Sequence, residues 1–307
     1  MGILFFTLFI SAFCQINPEN SKMNKEALYR QADPPLFSFG LLADVQYANC
    51  DPLGTRFYRN SLVKLADAVG TFRNSSVSFV VNLGDLIDRD FNSFMPVLDI
   101  LNSSGLKIYH CTGNHDYNVE NKLKSRIPVP GNSQSGYYSV DIKGFRLIFL
   151  DGNEISTYAS DDKDVIGQAA DLIRGLKRKG FINAMDWNGG IGNSQLLWLD
   201  GQLTQAASKN EKIIIFCHFP VAPEDIHNLL NYKEVLSHVG NDKNVVAWMN
   251  GHNHAGNYTV INGIHFITFK GMVETETISS YSIVDVYRDK IIIHGFGNEK
   301  DRTLKLN

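Results

Sequence analysis

Seven side chains able to ligate a metal stand in five short motifs: Asp44-Val45-Gln46, Gly84-Asp85, Gly113-Asn114-His115-Asp116, His218 and Gly251-His252-Asn253-His254. Carboxylate, imidazole and amide donors in one series are what two divalent cations need if they are to hold a phosphate ester and activate a water against it while keeping coordination positions open. Taken singly, each has a plainer reading: Asp44 as a helix cap, Asn114 as a turn residue, His218 as a satisfied histidine. Their succession in one chain points to two-metal phosphoesterase chemistry. Asp85, freed from steric bulk by Gly84, is placed to give one oxygen to each cation and so to fix a separation of about 3.5–4 Å. Asn114 would ligate through its side-chain oxygen, and His252 and His254, one residue apart, would face one cation each. His115 is surplus to the ligand count and is the expected general acid for a leaving phosphate, with Asp88 placed to orient it. Arg89 is expected either to meet phosphate or to form a surface ion pair. His110, His227, His238, His265 and His294 are expected to be structural.

Strands have to present these motifs. An apolar run at 36–43 ends at Asp44, another at 78–83 runs into Gly84-Asp85, and a third at 106–112 is closed by Gly113-Asn114. Helical periodicity at 58–72 and 91–101 separates them, so the first half reads as β-α-β-α-β, with each motif just beyond a carboxyl strand end, where open α/β sheets place ligands. The second half is expected to be more antiparallel. It has a hairpin at 137–142 and 145–150, a helix at 193–207, a strand at 212–217 before His218, and a strand at 245–250 before Gly251-His252. A hairpin about Asn262-Gly263 and a closing hairpin at 280–287 and 291–295 complete it. The expected fold class is α/β: two packed mixed β-sheets flanked by helices, with a dinuclear metal site at the carboxyl ends of the strands. The segment 153–192, punctuated by Gly, Asp and Asn, is an insertion placed to act as a lid.

At 307 residues, 44% hydrophobic and 20% charged, the chain is long enough for one large catalytic domain, expected over 36–307. A formal net charge of −3 provides no basic field, so nucleic acid is not an expected partner. The apolar stretch 3–13 has the length of a secretory signal and falls short of the roughly 20 residues of a spanning helix. It is read as a signal peptide over 1–15 followed by a linker over 16–35, giving a secreted protein with no stable membrane anchor. The alternative is a cytoplasmic protein with a buried N-terminal strand, since no Lys or Arg precedes the apolar stretch. Sequons at Asn74, Asn102 and Asn257 fit export. Cys14 would leave with the leader, and Cys50, Cys111 and Cys217 follow no Cys-x-x-Cys spacing, so they are assigned to packing.

On these residues the chain resembles the calcineurin-like metallophosphoesterases, whose motifs run DxH, GD, GNH(D/E), H and GHxH. Gln46 departs from the first motif, and glutamine there is typical of one branch, the manganese-dependent ADP-ribose/CDP-alcohol diphosphatases. FSFGLLADVQYA at 37–48, RFYR at 56–59, NGGIGNSQLLWLD at 188–200 and NYKEVL at 231–236 are similar to that branch, and the resemblance runs from about 36 to about 280. It implies the metallophosphoesterase sandwich. It also implies two divalent ions, manganese with iron or zinc as the alternative at one position: one held by Asp44, Gln46, Asp85 and His254, the other by Asp85, Asn114, His218 and His252. His115 would lie near the scissile phosphate. The implied substrates are small nucleotide diphosphates such as ADP-ribose, CDP-choline and CDP-glycerol, each split into a nucleoside monophosphate and a phosphorylated sugar or alcohol. The loops after Gln46 (47–55) and after His218 are short for this branch, and both would flank the nucleoside. Competing readings are a phosphomonoesterase or phosphodiesterase of the same fold and a secreted, non-catalytic metal-binding protein; the complete ligand set argues against the second. A purple acid phosphatase is disfavoured because its GDxxY motif would put Tyr at position 88.

Overall fold

The computed structural model describes residues 34–128 and 136–306. The expected signal peptide, Cys14 and nearly all of the expected linker lie outside the described residues. Along the chain come β1 (Phe37–Leu42), β2 (Phe79–Asn82) and β3 (Lys107–His110), then β4 (Tyr138–Ile142), β5 (Phe145–Phe149) and β6 (Lys212–Phe216). They are followed by β7 (Val245–Asn250), β8 (Asn257–Ile261), β9 (Ile264–Thr268), β10 (Ser280–Val286), β11 (Lys290–Gly297) and β12 (Arg302–Lys305). Two six-stranded mixed sheets result, ordered β12-β11-β10-β1-β2-β3 and β4-β5-β6-β7-β9-β8.

In the first sheet β1, β2 and β3 are parallel, and the closing hairpin joins antiparallel through β10. The second half of the chain is the more antiparallel, as expected, with β4·β5, β8·β9, β10·β11 and β11·β12 all antiparallel, but within the second sheet such pairs lie at the edges. Its centre, β5-β6-β7-β9, is parallel, and antiparallel pairing is confined to β4 and β8 at the two edges. The physical reason is that the Asn262-Gly263 turn carries β8 outward while β9 returns beside β7.

The sheets pack face to face because alternate side chains of their strands are apolar on the shared side. Phe37, Phe39 and Leu41 of β1, Phe79 and Val81 of β2, and Ile214 and Phe216 of β6 all enter one core. Phe39 meets Phe216 edge-on with ring centroids 5.9 Å apart. The outer faces are covered by helices. Helices α1 (Ser61–Asn74) and α2 (Phe94–Ser103) supply Leu65, Phe72 and Val97 to the outer core of the first sheet. After α3 (Lys163–Arg178), helices α4 (Asn193–Lys209) and α5 (Tyr232–Val239) cover the second with Leu196, Leu199 and Val235. Helix α3 lies inside the expected insertion at 153–192; its N-terminus is capped by Asp162, whose side chain accepts from the Asp164 N–H at 2.8 Å.

Candidate metal centre

The parallel strands end together, and the motifs follow at once: Asp44 after β1, Asp85 after β2, Asn114 after β3, His218 after β6, His252 and His254 after β7. The chain has to turn sharply there. Asp44, Gln46, Asp85 and His252 adopt φ of 51°, 43°, 56° and 69°, the left-handed region that costs about 1–3 kcal/mol for a residue with a side chain. Glycines make the crowding possible. A Cβ on Gly113 would stand 2.1 Å from Asp85 Oδ1, and one on Gly84, itself at φ +101°, would stand 2.7 Å from His218 Nδ1.

The predicted ligands converge into two groups that meet at one atom. In the first, Asp44 Oδ1 lies 3.3 Å from His254 Nε2, and the Gln46 amide nitrogen lies 3.1 Å from the same Nε2 and 3.0 Å from Asp85 Oδ2. In the second, His218 Nε2 lies 3.4 Å from Asp85 Oδ2, 3.3 Å from Asn114 Oδ1 and 3.1 Å from His252 Nδ1. Asp85 Oδ2 therefore belongs to both groups. Its other oxygen, Oδ1, accepts the His115 backbone N–H at 2.8 Å.

The arrangement fits two divalent cations. Separations of 3.0–3.4 Å match the edges of a coordination shell with bonds of about 2.0–2.2 Å. Gln46 Oε1 is buried with no hydrogen-bond partner. Turning that amide over by 180° would place its oxygen between Asp85 and His254, the orientation a cation selects.

Charge tells the same story. Burial by itself would raise the Asp85 carboxyl, but His218 and His115 hold it well below the usual carboxylate range. Burial likewise opposes charge on His218 and His254, yet Asp85 lifts the first and Asp44 the second to about 9. His252 goes the other way, pushed well below its ordinary value by burial and then by the neighbouring His218. The carboxylates thus draw positive charge into the cluster, a role that bound cations would take over, with the imidazoles neutral.

Around the donors is a shell that sequence motifs only partly announced. Asp116 accepts from the backbone N–H groups of Asp85 (3.0 Å), Leu86 (2.8 Å) and Gly113 (2.9 Å), locking two ligand loops together. His254 Nδ1 pairs with Glu274 Oε1 at 2.7 Å, and His252 Nε2 with Asn188 Oδ1 at 2.8 Å. Neither partner was singled out from the sequence; Asn188 lay within a quoted family-like segment, whereas Glu274 has no local signal. His115 stands beside the donors with Nδ1 3.2 Å from both Asp88 Oδ1 and the Asp88 carbonyl oxygen, as the expected orienting role requires. Burial pushes its imidazole down, but Asp85 and Asp88 together hold it above the ordinary value. Arg89 is an ion-pair residue: its Nε lies 2.6 Å from Asp88 Oδ2, and its guanidinium sits over the Tyr58 ring.

A cleft of about 350 Å³ opens over the donors, lined also by Arg56, Trp187 and His227. His227, expected to be structural, packs its ring edge-on against His252 at 5.4 Å. His110, His238, His265 and His294 do not line this cleft. Cys111 and Cys217 are buried free thiols and Cys50 is half-buried, in keeping with packing roles.

A family model described as calcineurin-like phosphoesterase matches residues 37–256. A Xenopus laevis protein named manganese-dependent ADP-ribose/CDP-alcohol diphosphatase is 30% identical, the match covering 93% of this chain and 95% of that protein. The human protein of the same name is 29% identical over 93% of this chain and 97% of its own length. Among solved structures, a dimetal phosphatase from Danio rerio superposes with a TM-score of 0.81 at 27% identity, covering 89% of this chain and 100% of the other.

Proposed function

The chain belongs to the calcineurin-like phosphoesterase family, and from that premise we propose that it is a manganese-dependent hydrolase cleaving the diphosphate bond of ADP-ribose and CDP-alcohols. The observation that carries this reading is Asp85 Oδ2 standing in both donor groups. Asp44, Gln46, Asp85 and His254 would hold one cation, and Asp85, Asn114, His218 and His252 the other. Bound there, the pair would supply Lewis-acid polarisation of the phosphate and raise the acidity of the attacking water.

The chain's own groups account for the rest. Asp88 keeps the His115 ring turned so that Nε2 is free to face the cleft and hold a proton for the oxygen that leaves. Arg56 lines the same cleft, its Nε 3.9 Å from Glu274 Oε1, and its guanidinium would meet a second phosphate. Trp187, from the segment expected to be a lid, lines the cleft, and the buried Asn188 beside it holds His252 from behind.

The test is hydrolysis of ADP-ribose and CDP-choline by chelator-treated protein with and without added manganese. AMP and CMP should form only with the metal. Release of phosphate from p-nitrophenyl phosphate with no cleavage of either diphosphate would favour a phosphomonoesterase instead. We also propose export through the leader at 1–15: material secreted from a eukaryotic host should begin near residues 15–18, and an intact Met1 on it would refute this.

A further inference from the structure

A second cavity of about 390 Å³ opens from the metal cleft, sharing Asn114, His115 and Trp187 with it and continuing past Tyr117, Asn118, Lys124 and Thr157. Its size lies in the range of roughly 300–1,000 Å³ common for small-molecule pockets. Its walls combine aromatic faces with amide, hydroxyl and ammonium groups, the mixture a nucleoside needs. Trp187 is 45% exposed, a large apolar side chain with no place in any core cluster. The turn that carries it is nevertheless tightly held through its neighbours. Asn188, fully buried, donates to the Asn183 and Ile226 carbonyls and accepts from His252, while Asn183 donates to the Leu229 carbonyl at 2.7 Å. An exposed indole on so fixed a turn is a pre-organised platform that loses little freedom when a base stacks on it.

The loop after Gln46, expected to flank the nucleoside, instead lines a separate cavity that shares no residue with the metal cleft; we propose that the cavity beside Trp187 binds the nucleotide half of the substrate, with Trp187 stacked on the base, and that this half is the leaving group. The inference rests on the diphosphatase reading above. The placement of His115 fixes the direction of cleavage: it stands at the junction of the two cavities, so the phosphate oxygen within its reach belongs to whichever half occupies the second one. Water attacks the phosphorus of the sugar or alcohol half, over the metal donors. The bond from that phosphorus to the bridging oxygen breaks, its electron pair stays on the bridging oxygen, and His115 Nε2 delivers a proton to it. The water's oxygen ends in the phosphorylated sugar or alcohol, and the nucleoside monophosphate leaves with the original bridging oxygen.

The experiment is hydrolysis of ADP-ribose in ¹⁸O-water by the manganese-loaded full chain, with mass spectrometry of both products, beside kinetics of Trp187→Ala and Trp187→Phe. Label should appear in ribose 5-phosphate and not in AMP. Trp187→Ala should raise KM roughly 5- to 100-fold with kcat little changed, and Trp187→Phe should restore most of it. AMP should inhibit Trp187→Ala correspondingly more weakly than wild type, with inhibition by ribose 5-phosphate unaltered. Label in AMP overturns the direction of cleavage, and an unchanged KM and AMP inhibition overturn the platform. No hydrolysis of any nucleotide diphosphate by wild type would instead sink the diphosphatase reading itself.

Discussion

Asn188 Oδ1 accepts a hydrogen bond from His252 Nε2 at 2.8 Å, and that bond leaves Nδ1 as the nitrogen facing His218 and the candidate metal position. A residue 64 positions away thereby sets the tautomer of a proposed ligand. Asn188→Ala should weaken retention of metal by about 10- to 100-fold, while Asn188→Asp, which keeps the acceptor oxygen, should lose less. Metal content after dialysis, with melting temperature as the control for folding, decides it. Equal retention by Asn188→Ala and wild type would show that His252 needs no such support.

His115→Ala should lower kcat by roughly 10²- to 10⁴-fold with metal content intact, because the residue is placed to move a proton and not to ligate. Asp88→Asn should fall between that variant and wild type, since Asp88 holds the ring but does not touch substrate. Loss of metal on removing His115 would reassign it as a ligand.

Gln46→His should increase retention of iron or zinc through dialysis and shift the metal that supports diphosphatase activity. A neutral amide oxygen suits manganese, whereas imidazole favours the later first-row metals. Unchanged metals and an unchanged activation profile would place Gln46 outside the coordination shell.

His110 supplies a pH dependence away from the centre. Although the residue keeps some solvent contact, burial of its ring pushes the imidazole from 6.5 down to about 4. Between those values the unfolded chain binds more protons than the folded one, so this group's contribution is intact above about pH 6.5 and declines as pH falls toward 4. A His110→Asn variant should therefore show a shallower fall in melting temperature across that window than wild type. Parallel curves would refute the assignment.

Much of this was legible because the apolar runs of β1, β2, β3, β6 and β7 end where the ligand motifs begin, so locating a strand also located its donor. Helix α3 was not, since Gly167, Gly175 and Asp171 interrupt a pattern that its buried Ala169 and Ile173 nonetheless complete. Neither was β12, a charged four-residue edge strand. Arg56, Trp187, Asn188, His227 and Glu274 reach the site from distant loops. Arg56 and Asn188 lie in segments that resemble the diphosphatase branch, but nothing local marks Trp187, His227 or Glu274, because their placement depends on how separate loops fold back over the strand ends.

The left-handed backbone at Asp44, Gln46, Asp85 and His252 sets stability and activity against each other at the same four positions. Replacing any of these residues with glycine would relieve local strain, so selection for heat resistance alone would erode the candidate metal centre before the hydrophobic core. Directed evolution of the metal-free protein without an activity screen should accumulate its first stabilising changes here, yielding hardy variants that no longer hydrolyse anything.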